Sequence, residues 1–239
     1  AVASHCPGAP RIPGKNFLSA LPPRTMYIPA GGTGGATMTG AVSAVRFIAV
    51  TIFAIISIPA ADNGRSCRKT KSSFADRPSG PFKFVKSLWP NAGQWPADAT
   101  DAERSAEAVA ASKSVGPVSN GPSDKGRVSN LYSGRVEQGQ MCRDMTLFVD
   151  DDGSVWHIFA SESNSTLHFA ELTGDCLGYT GRWYRGAEKD WTEAPAVVKH
   201  GGWYWLLGSG CTGWKPNAAR IYRAKSLAGP WEWMGNPCT

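Results

Sequence analysis

The sequence predicts an all-β fold that forms part of a β-propeller, with about two and a half four-stranded blades. Two segments that begin about 49 residues apart, 143–161 and 192–209, share one pattern. Each is an apolar run, a turn with glycine and a second apolar run rich in aromatic residues, which is typical of a β-hairpin. Two short strands follow each hairpin, and four strands repeated every 40–50 residues or so indicate propeller blades.

The later strands of each unit follow in order. Third and fourth strands are predicted at 166–172 and 181–185 in the first unit, and at 219–224 and 229–234 in the second. The segment SGPFKFV, preceded by FAD, repeats the second ending earlier in the chain. The predicted blades are thus the end of one (74–85), a whole one (about 142–186) and a nearly whole one (about 192–235).

An insertion at 86–140 separates the first blade from the second. Its segment from Asp98 to Ser112 is rich in alanine and glutamate, which predicts a short surface helix. Residues 113–130 are rich in serine, glycine and proline, which predicts a loop.

The N-terminal third, 1–73, differs from the propeller-like part, 74–239. Residues 1–74 hold eight Lys/Arg and one acid, whereas the remainder has a net charge of −1. The low-complexity composition predicts a poorly ordered segment. The apolar run at 47–58 fits a secretion signal if translation begins at Met38, and secretion to the extracellular space or periplasm would follow. Two alternatives stay open: a segment outside the native coding sequence, and a buried strand or helix.

Composition excludes some classes of function. All ten tryptophans lie from Trp89 onward, in the part without excess positive charge, so we expect no nucleic-acid partner. The apolar run is too short to span a bilayer comfortably. The six cysteines show no zinc-binding spacing; scattered buried thiols are favoured over a disulfide framework, and their pairing stays open.

Asp144 and Glu193 occupy equivalent positions at the start of the two units. The first strand of a propeller blade lines the central axis, so the two acids should face each other at one end of the channel. A carboxyl pair is what glycosidic-bond hydrolysis requires, with one group kept protonated as general acid by the charge of the other. The alternatives are a surface ion pair of Asp144 with Arg143 and a turn cap by Glu193 before Pro195.

Trp214 is the best aromatic candidate for a sugar-binding wall because it follows the glycine-rich turn SGCTG at 209–213. Aromatic faces stack on the apolar faces of sugar rings. The alternative for this tryptophan is a place in the core, because propeller blades also pack on aromatic residues.

Several motifs in order resemble one known family. They are SGPFKFV (79–85), WPNAGQWP (89–96), GQMCRDMTLFVDDDG (139–153), EAPA (193–196) and SGCTGWKPNAAR (209–220). Together they resemble the exo-β-1,3-galactanase-like branch of glycoside hydrolase family 43, whose fold is a five-bladed β-propeller. The resemblance covers most of 74–239 apart from the middle of the insertion.

The resemblance implies roles for six residues. Glu193 would be the general acid, and Asp144 would orient it and tune its pKa. Thr212 and Trp214 would contact the sugar, with Glu162 and Asn164 as weaker candidates. Asn164 also begins a glycosylation sequon, which a place in the site would make accidental.

Two features depart from the family pattern. Its members generally use a base on the first blade, and galactanase-like members position the water with polar groups of the first and later blades. Nothing in 1–73 resembles that first blade, and no fourth blade follows, so we expect this chain alone to be inactive. The full-length protein is expected to be a monomer that binds polysaccharide. We expect no cofactor, and no ligand set can be named for a structural calcium ion.

Three other functions compete with a galactanase. The same fold serves α-L-arabinofuranosidases and β-xylosidases. A carbohydrate-binding remnant would retain the tryptophans and lose the acids. A WD-repeat scaffold would show Trp-Asp pairs, which the sequence lacks.

Overall fold

The computed structural model describes residues 70–75, 79, 81–115, 130–213 and 215–238, and the backbone of two strands nearer the N-terminus. The strands of these ranges form three four-stranded antiparallel sheets, each in sequential order. The strands are β1 (Thr25–Pro29), β2 (Phe47–Thr51), β3 (Thr70–Ala75), β4 (Lys83–Leu88), β5 (Met145–Val149), β6 (Val155–Ser161), β7 (Thr166–Leu172), β8 (Tyr179–Gly186), β9 (Thr192–His200), β10 (Trp203–Gly210), β11 (Ala219–Ala224) and β12 (Glu232–Gly235). We call the sheets blade 1 (β1–β4), blade 2 (β5–β8) and blade 3 (β9–β12). The predicted partial propeller is confirmed.

Blades 2 and 3 follow the predicted repeat closely. The predicted third strands coincide with β7 and β11. The β9–β10 hairpin turns at Gly201 and Gly202, whose φ angles of 59° and 73° suit a two-residue hairpin turn. The β5–β6 hairpin closes where the amide of Asp150 donates to the carbonyl of Ser154 at 2.9 Å.

Blade 1 contains more of the chain than the sequence predicted. Its strands β1 and β2 come from the N-terminal third, and β3 begins at Thr70, so the sheet takes strands from both sides of residue 73. The apolar run that suggested a secretion signal starts with β2, and apolar composition alone does not distinguish a signal segment from a buried strand. The other residues before Thr70 lie outside the described part of the chain, and most of the predicted secretion signal lies among them. The predicted poor order of this segment stays a prediction.

The helical part of the insertion is present and divided in two. Helix α1 (Asp101–Arg104) starts with a capping box, in which Thr100 and Glu103 each accept from the other's backbone N–H. Helix α2 (Ala106–Ser114) follows because Ser105 caps it, accepting from the amide of Ala108 at 3.2 Å. In the described ranges, no helix has the length and apolar character needed to cross a membrane.

Arg185 of β8 attaches this insertion to blade 2. Its guanidinium is only 8% exposed and binds Asp98 at 3.1 Å, Glu103 at 2.9 Å and Glu188 at 3.2 Å. The three carboxylates accept hydrogen bonds from the N–H groups of this buried guanidinium. These bonds fix the helical part of the insertion against blade 2.

The main core lies between blades 2 and 3. Ile158, Leu167 and Phe169 of blade 2 are fully buried against Leu206 and Tyr222 of blade 3. This packing brings β5 next to β9, the first strands of the two blades. The starts of both strands therefore lie at the same end of the fold, as the repeat predicted.

Candidate active site

Asp144 lies at the peptide that follows Glu193. Its Oδ2 accepts from the backbone N–H of Ala194 at 3.2 Å. Two backbone hydrogen bonds to Ala160 fix the main chain of Asp144 and Arg143, at 2.8 and 2.9 Å. The structure thus brings together the two acids that the repeat placed in phase.

A β-bulge positions Glu193 within β9. The pairing of β9 with β10 skips Gly208 and resumes with Ser209 opposite Glu193. A Cβ on Gly208 would lie 2.4 Å from Thr192 Cγ2 and 2.9 Å from the Glu193 carbonyl oxygen, so only glycine fits. Ala194, inside the bulge, has a left-handed φ of 49°. Bulges re-aim side chains next to active sites, and here the re-aimed residue is the predicted general acid.

Asn164 contacts the Glu193 side chain directly. Its Nδ2 donates to Glu193 Oε1 at 2.5 Å, from a side chain that is only 4% exposed. Asn164 lies in the loop between β6 and β7 of blade 2, so this bond crosses between blades. Its burial and this bond fit a place in the site better than glycosylation.

The loop that carries Asn164 is a left-handed turn. Glu162, Ser163 and Asn164 have φ angles of 48°, 58° and 67°. Left-handed conformation costs roughly 1–2 kcal/mol for each residue other than glycine. Three such residues in a row therefore require strong support from their surroundings.

Glu162 lies behind this turn and is 5% exposed. It accepts a hydrogen bond from Nε2 of the fully buried His168 at 2.9 Å. The contact seen in the structure is thus with His168, and a sugar contact by Glu162 stays a prediction.

Cys211 lies beside Glu193. Burial, and after it the charge of Glu193 and a hydrogen bond to that carboxylate, raise the pKa of its thiol to about 12. Asn164 also hydrogen-bonds to the thiol and, with the charge of Arg220, opposes the rise. Cys211, Asn164 and Glu193 therefore form one contiguous group.

Thr212 lies in an exposed turn closed by Asn217. The Asn217 amide donates to the Gly210 carbonyl at 3.0 Å and accepts from the Gly210 N–H at 2.8 Å. Thr212 Oγ1 donates to the Lys215 carbonyl and accepts from Asn217 Nδ2, both at 2.7 Å. Among the described residues, one acceptor site of the hydroxyl has no partner, so it can bind a ligand. Trp214, the predicted sugar-binding wall, lies outside the described residues.

Arg220 supports the strand that carries Glu193. Its guanidinium donates to the Asp190 carbonyl and, at 3.3 Å, to Thr192 Oγ1. The Thr192 hydroxyl is also 3.0 Å from Tyr222 OH, which donates to the Asp190 carboxylate. These contacts connect β11 to Thr192, the first residue of β9, and to Asp190 just before that strand.

A separate cleft of about 630 Å³ lies between blades 2 and 3. Its lining includes Arg185, Glu188, Asp190 and Trp231, but neither Asp144 nor Glu193. The carboxyl pair thus lies apart from this cleft.

In the described part of the chain, no three His, Cys, Asp or Glu side chains are grouped as metal ligands. A structural calcium ion stays a prediction, and no residues are assigned as its ligands. Cys176, Cys211 and Cys238 are free thiols, and Cys6 and Cys67 lie outside the described residues.

Sequence reasoning missed His168, Gly208 and Asn217. Gly208 interrupts an apolar strand in the motif WLLGSG, and an isolated glycine in a strand can indicate a bulge. His168 and Asn217 carry no local signal, because their roles depend on partners across a turn.

Comparisons with known proteins show the family and the fold. The model for glycosyl hydrolases family 43 matches residues 92–239. The chain is 34% identical to a GH43 β-1,3-galactosidase solved with galactodeoxynojirimycin, with a TM-score of 0.67 over 81% of this chain and 55% of that one. Exo-β-1,3-galactanases from Clostridium thermocellum and Phanerochaete chrysosporium share the fold, at 24% and 21% identity. Each gives a TM-score of 0.52 over 80% of this chain and 32% of the other.

A search of curated proteins found no significant match. The chain spans about half the length of the β-1,3-galactosidase and about a third of the two galactanases. The family match extends over well more than half of the chain. The chain belongs to glycosyl hydrolase family 43.

Proposed function

We propose that the protein is a glycoside hydrolase that acts on β-1,3-linked galactan, such as the galactan of arabinogalactan, by inverting acid catalysis. The observation that carries this proposal is the arrangement around Glu193. Asn164 holds one oxygen of its carboxyl group, and Asp144 binds the peptide directly after it. The 34% identity to a GH43 β-1,3-galactosidase supports the choice of sugar and linkage.

In this proposal Glu193 is the general acid. It donates its proton to the glycosidic oxygen as the bond to the anomeric carbon breaks. Asp144 fixes the adjacent main chain and places a negative charge beside the acid. Water attacks the opposite face of the sugar and passes its proton to a general base, which the proposal places on a blade other than blades 2 and 3.

Two further residues can bind the sugar. Asn164 Oδ1 is buried and has no partner among the described residues, so it can accept from a sugar hydroxyl. Thr212 offers its remaining acceptor site from an exposed turn. A polysaccharide substrate outside the cell would require export, so the proposal includes an extracellular or periplasmic location.

The test is release of galactose from β-1,3-galactan, measured by anion-exchange chromatography. It is run on this chain and on the chain extended by the flanking reading frame. We expect the extended protein to release galactose and its Glu193→Gln variant to lose at least about a hundredfold of that rate. Glu137→Gln, an exposed position, is the matched control and should retain activity.

Three results would contradict the proposal. Release of arabinose or xylose without galactose from a mixed arabinogalactan would indicate a pentosidase. Activity that is unaffected by Glu193→Gln would remove the acid assignment. Galactan binding without hydrolysis in the extended protein would indicate a carbohydrate-binding remnant.

A further inference from the structure

We propose that His168 is a positioning residue: its hydrogen bond to Glu162 holds the left-handed turn that presents Asn164 to Glu193. The importance of this for catalysis rests on the proposed function. The contacts of His168 with Glu162 and of Asn164 with Glu193 are made by described side chains of blades 2 and 3.

The proton of this hydrogen bond belongs to His168. A carboxylate oxygen accepts and a ring N–H donates, so Nε2 of His168 is the donor to Glu162 Oε1 at 2.9 Å. The imidazole has little freedom to turn, because its centroid lies 4.6 Å from the ring of Trp183 and 5.4 Å from that of Phe159. His168 is on β7, so a rigid strand holds the donor in place.

The turn needs such a support. Three consecutive residues other than glycine are left-handed, and Glu162 begins the run. Fixing the Glu162 side chain at the start of the turn determines where Asn164 lies at its end. Without its partner, the buried carboxylate of Glu162 would be drawn toward water, and the turn would lose its strained conformation.

The same turn also holds the main chain that leads to Glu193. The carbonyl of Ser165, directly after Asn164, accepts from the amides of Asp190 and Trp191 at 2.9 and 3.3 Å. The turn thus contacts both the Glu193 side chain and the connection just before it. A displacement of the turn would be transmitted to Glu193 by both routes.

Cys211 reports on this arrangement without any catalytic assay, because its thiol adjoins Asn164 and Glu193. The rate of its alkylation by iodoacetamide is measured at pH 8 on the folded chain, with each cysteine peptide resolved by mass spectrometry. The exposed Cys238 is the internal reference. The variants are Asn164→Ala, His168→Phe, the double variant and His168→Gln, which retains an N–H donor.

We expect Asn164→Ala to lower the Cys211 rate roughly three- to tenfold, because the amide hydrogen bond that lowers the pKa of the thiol is lost and the thiolate fraction at pH 8 falls. His168→Phe should give the same factor, and the double variant should give no more, since both changes remove one interaction. His168→Gln should stay near the rate of the unmodified protein. This rescue would separate positioning from a general loss of stability.

A Cys211 rate in His168→Phe equal to that of the unmodified protein would overturn the proposal, as would factors that multiply in the double variant. If His168→Phe unfolds, which labelling of the buried Cys176 would show, Glu162→Leu breaks the same bond from the other side. Glu162→Leu must then reproduce the Asn164→Ala factor, and an unchanged rate would also overturn the proposal. None of these results depends on galactan hydrolysis, so a failed activity assay would count against the proposed function alone.

Discussion

Asn164 and Glu193 are 29 residues apart in the sequence and lie in different blades, yet the amide Nδ2 of Asn164 lies 2.5 Å from Glu193 Oε1. Asp144 accepts a hydrogen bond from the backbone N–H of Ala194, the residue directly after Glu193. The carboxyl group of Glu193 is therefore oriented from blade 2 in two ways, by a side chain and by a main-chain contact. Four predictions follow from this arrangement and from the packing around it.

Removing the Asp144 carboxyl group should separate its charge from its hydrogen bond. Asp144→Ala leaves the Ala194 N–H without its acceptor and should lower the free energy of unfolding by about 1 kcal/mol, measured by urea denaturation. Asp144→Asn retains an acceptor oxygen and should change stability less. In an active form of the protein, both variants should lose at least about tenfold in kcat if the charge matters. Full activity in Asp144→Asn would show that only the hydrogen bond is needed.

Adding a methyl group at the bulge should displace Glu193. Gly208→Ala places a Cβ 2.4 Å from Thr192 Cγ2, so we expect a loss of about 1–3 kcal/mol in the free energy of unfolding. Gly174→Ala is the matched control, because nothing lies within 4 Å of its added Cβ. Equal stabilities of the two variants in urea would show that the strand accommodates the methyl group.

Neutralising Glu193 should make Cys211 more reactive. The charge of Glu193 adds to the rise in the pKa of the thiol, so Glu193→Gln lowers that pKa and increases the thiolate fraction at pH 8. We expect alkylation of Cys211 to accelerate at least about threefold relative to Cys238, measured by mass spectrometry. An unchanged ratio would place the Glu193 carboxylate too far from the thiol to affect it.

His157 should make the fold sensitive to acid. Burial lowers the pKa of its imidazole from the ordinary 6.5 to about 3. Below pH 6.5 the unfolded chain therefore binds a proton at His157 that the folded chain does not bind. The free energy of unfolding falls as the pH drops from 6.5 toward 3. At pH 4.5 the loss from this residue is about 2–3 kcal/mol.

The measurement is urea denaturation at pH 7 and pH 4.5. His157→Gln should lose less stability between the two pH values than the unmodified protein, whatever its stability at pH 7. His200→Gln, at an exposed position, should show the full loss. The same pH dependence in His157→Gln would mean that other groups cause the acid sensitivity.

Much of the fold could be predicted from the chain alone. Each strand of blades 2 and 3 has its own apolar and aromatic pattern, and β7 and β11 match their predicted bounds. The strands of blade 1 were harder to predict, because the apolar run that includes β2 fits a signal peptide as well as a strand. What decided in favour of a strand at Phe47–Thr51 was its pairing with β1 and β3.

The sequence by itself determined the repeat, and with it the common position of Asp144 and Glu193, because a strand pattern and its period are local properties of the chain. Tertiary structure alone decided which side chains surround them. The contacts of Asn164 and Cys211 with Glu193 join separate elements of the fold. The contact of His168 with Glu162 depends on a left-handed turn that contains no glycine, so the sequence gives no signal for it. Such contacts arise only when packed blades and a strained turn set distances that sequence spacing does not contain.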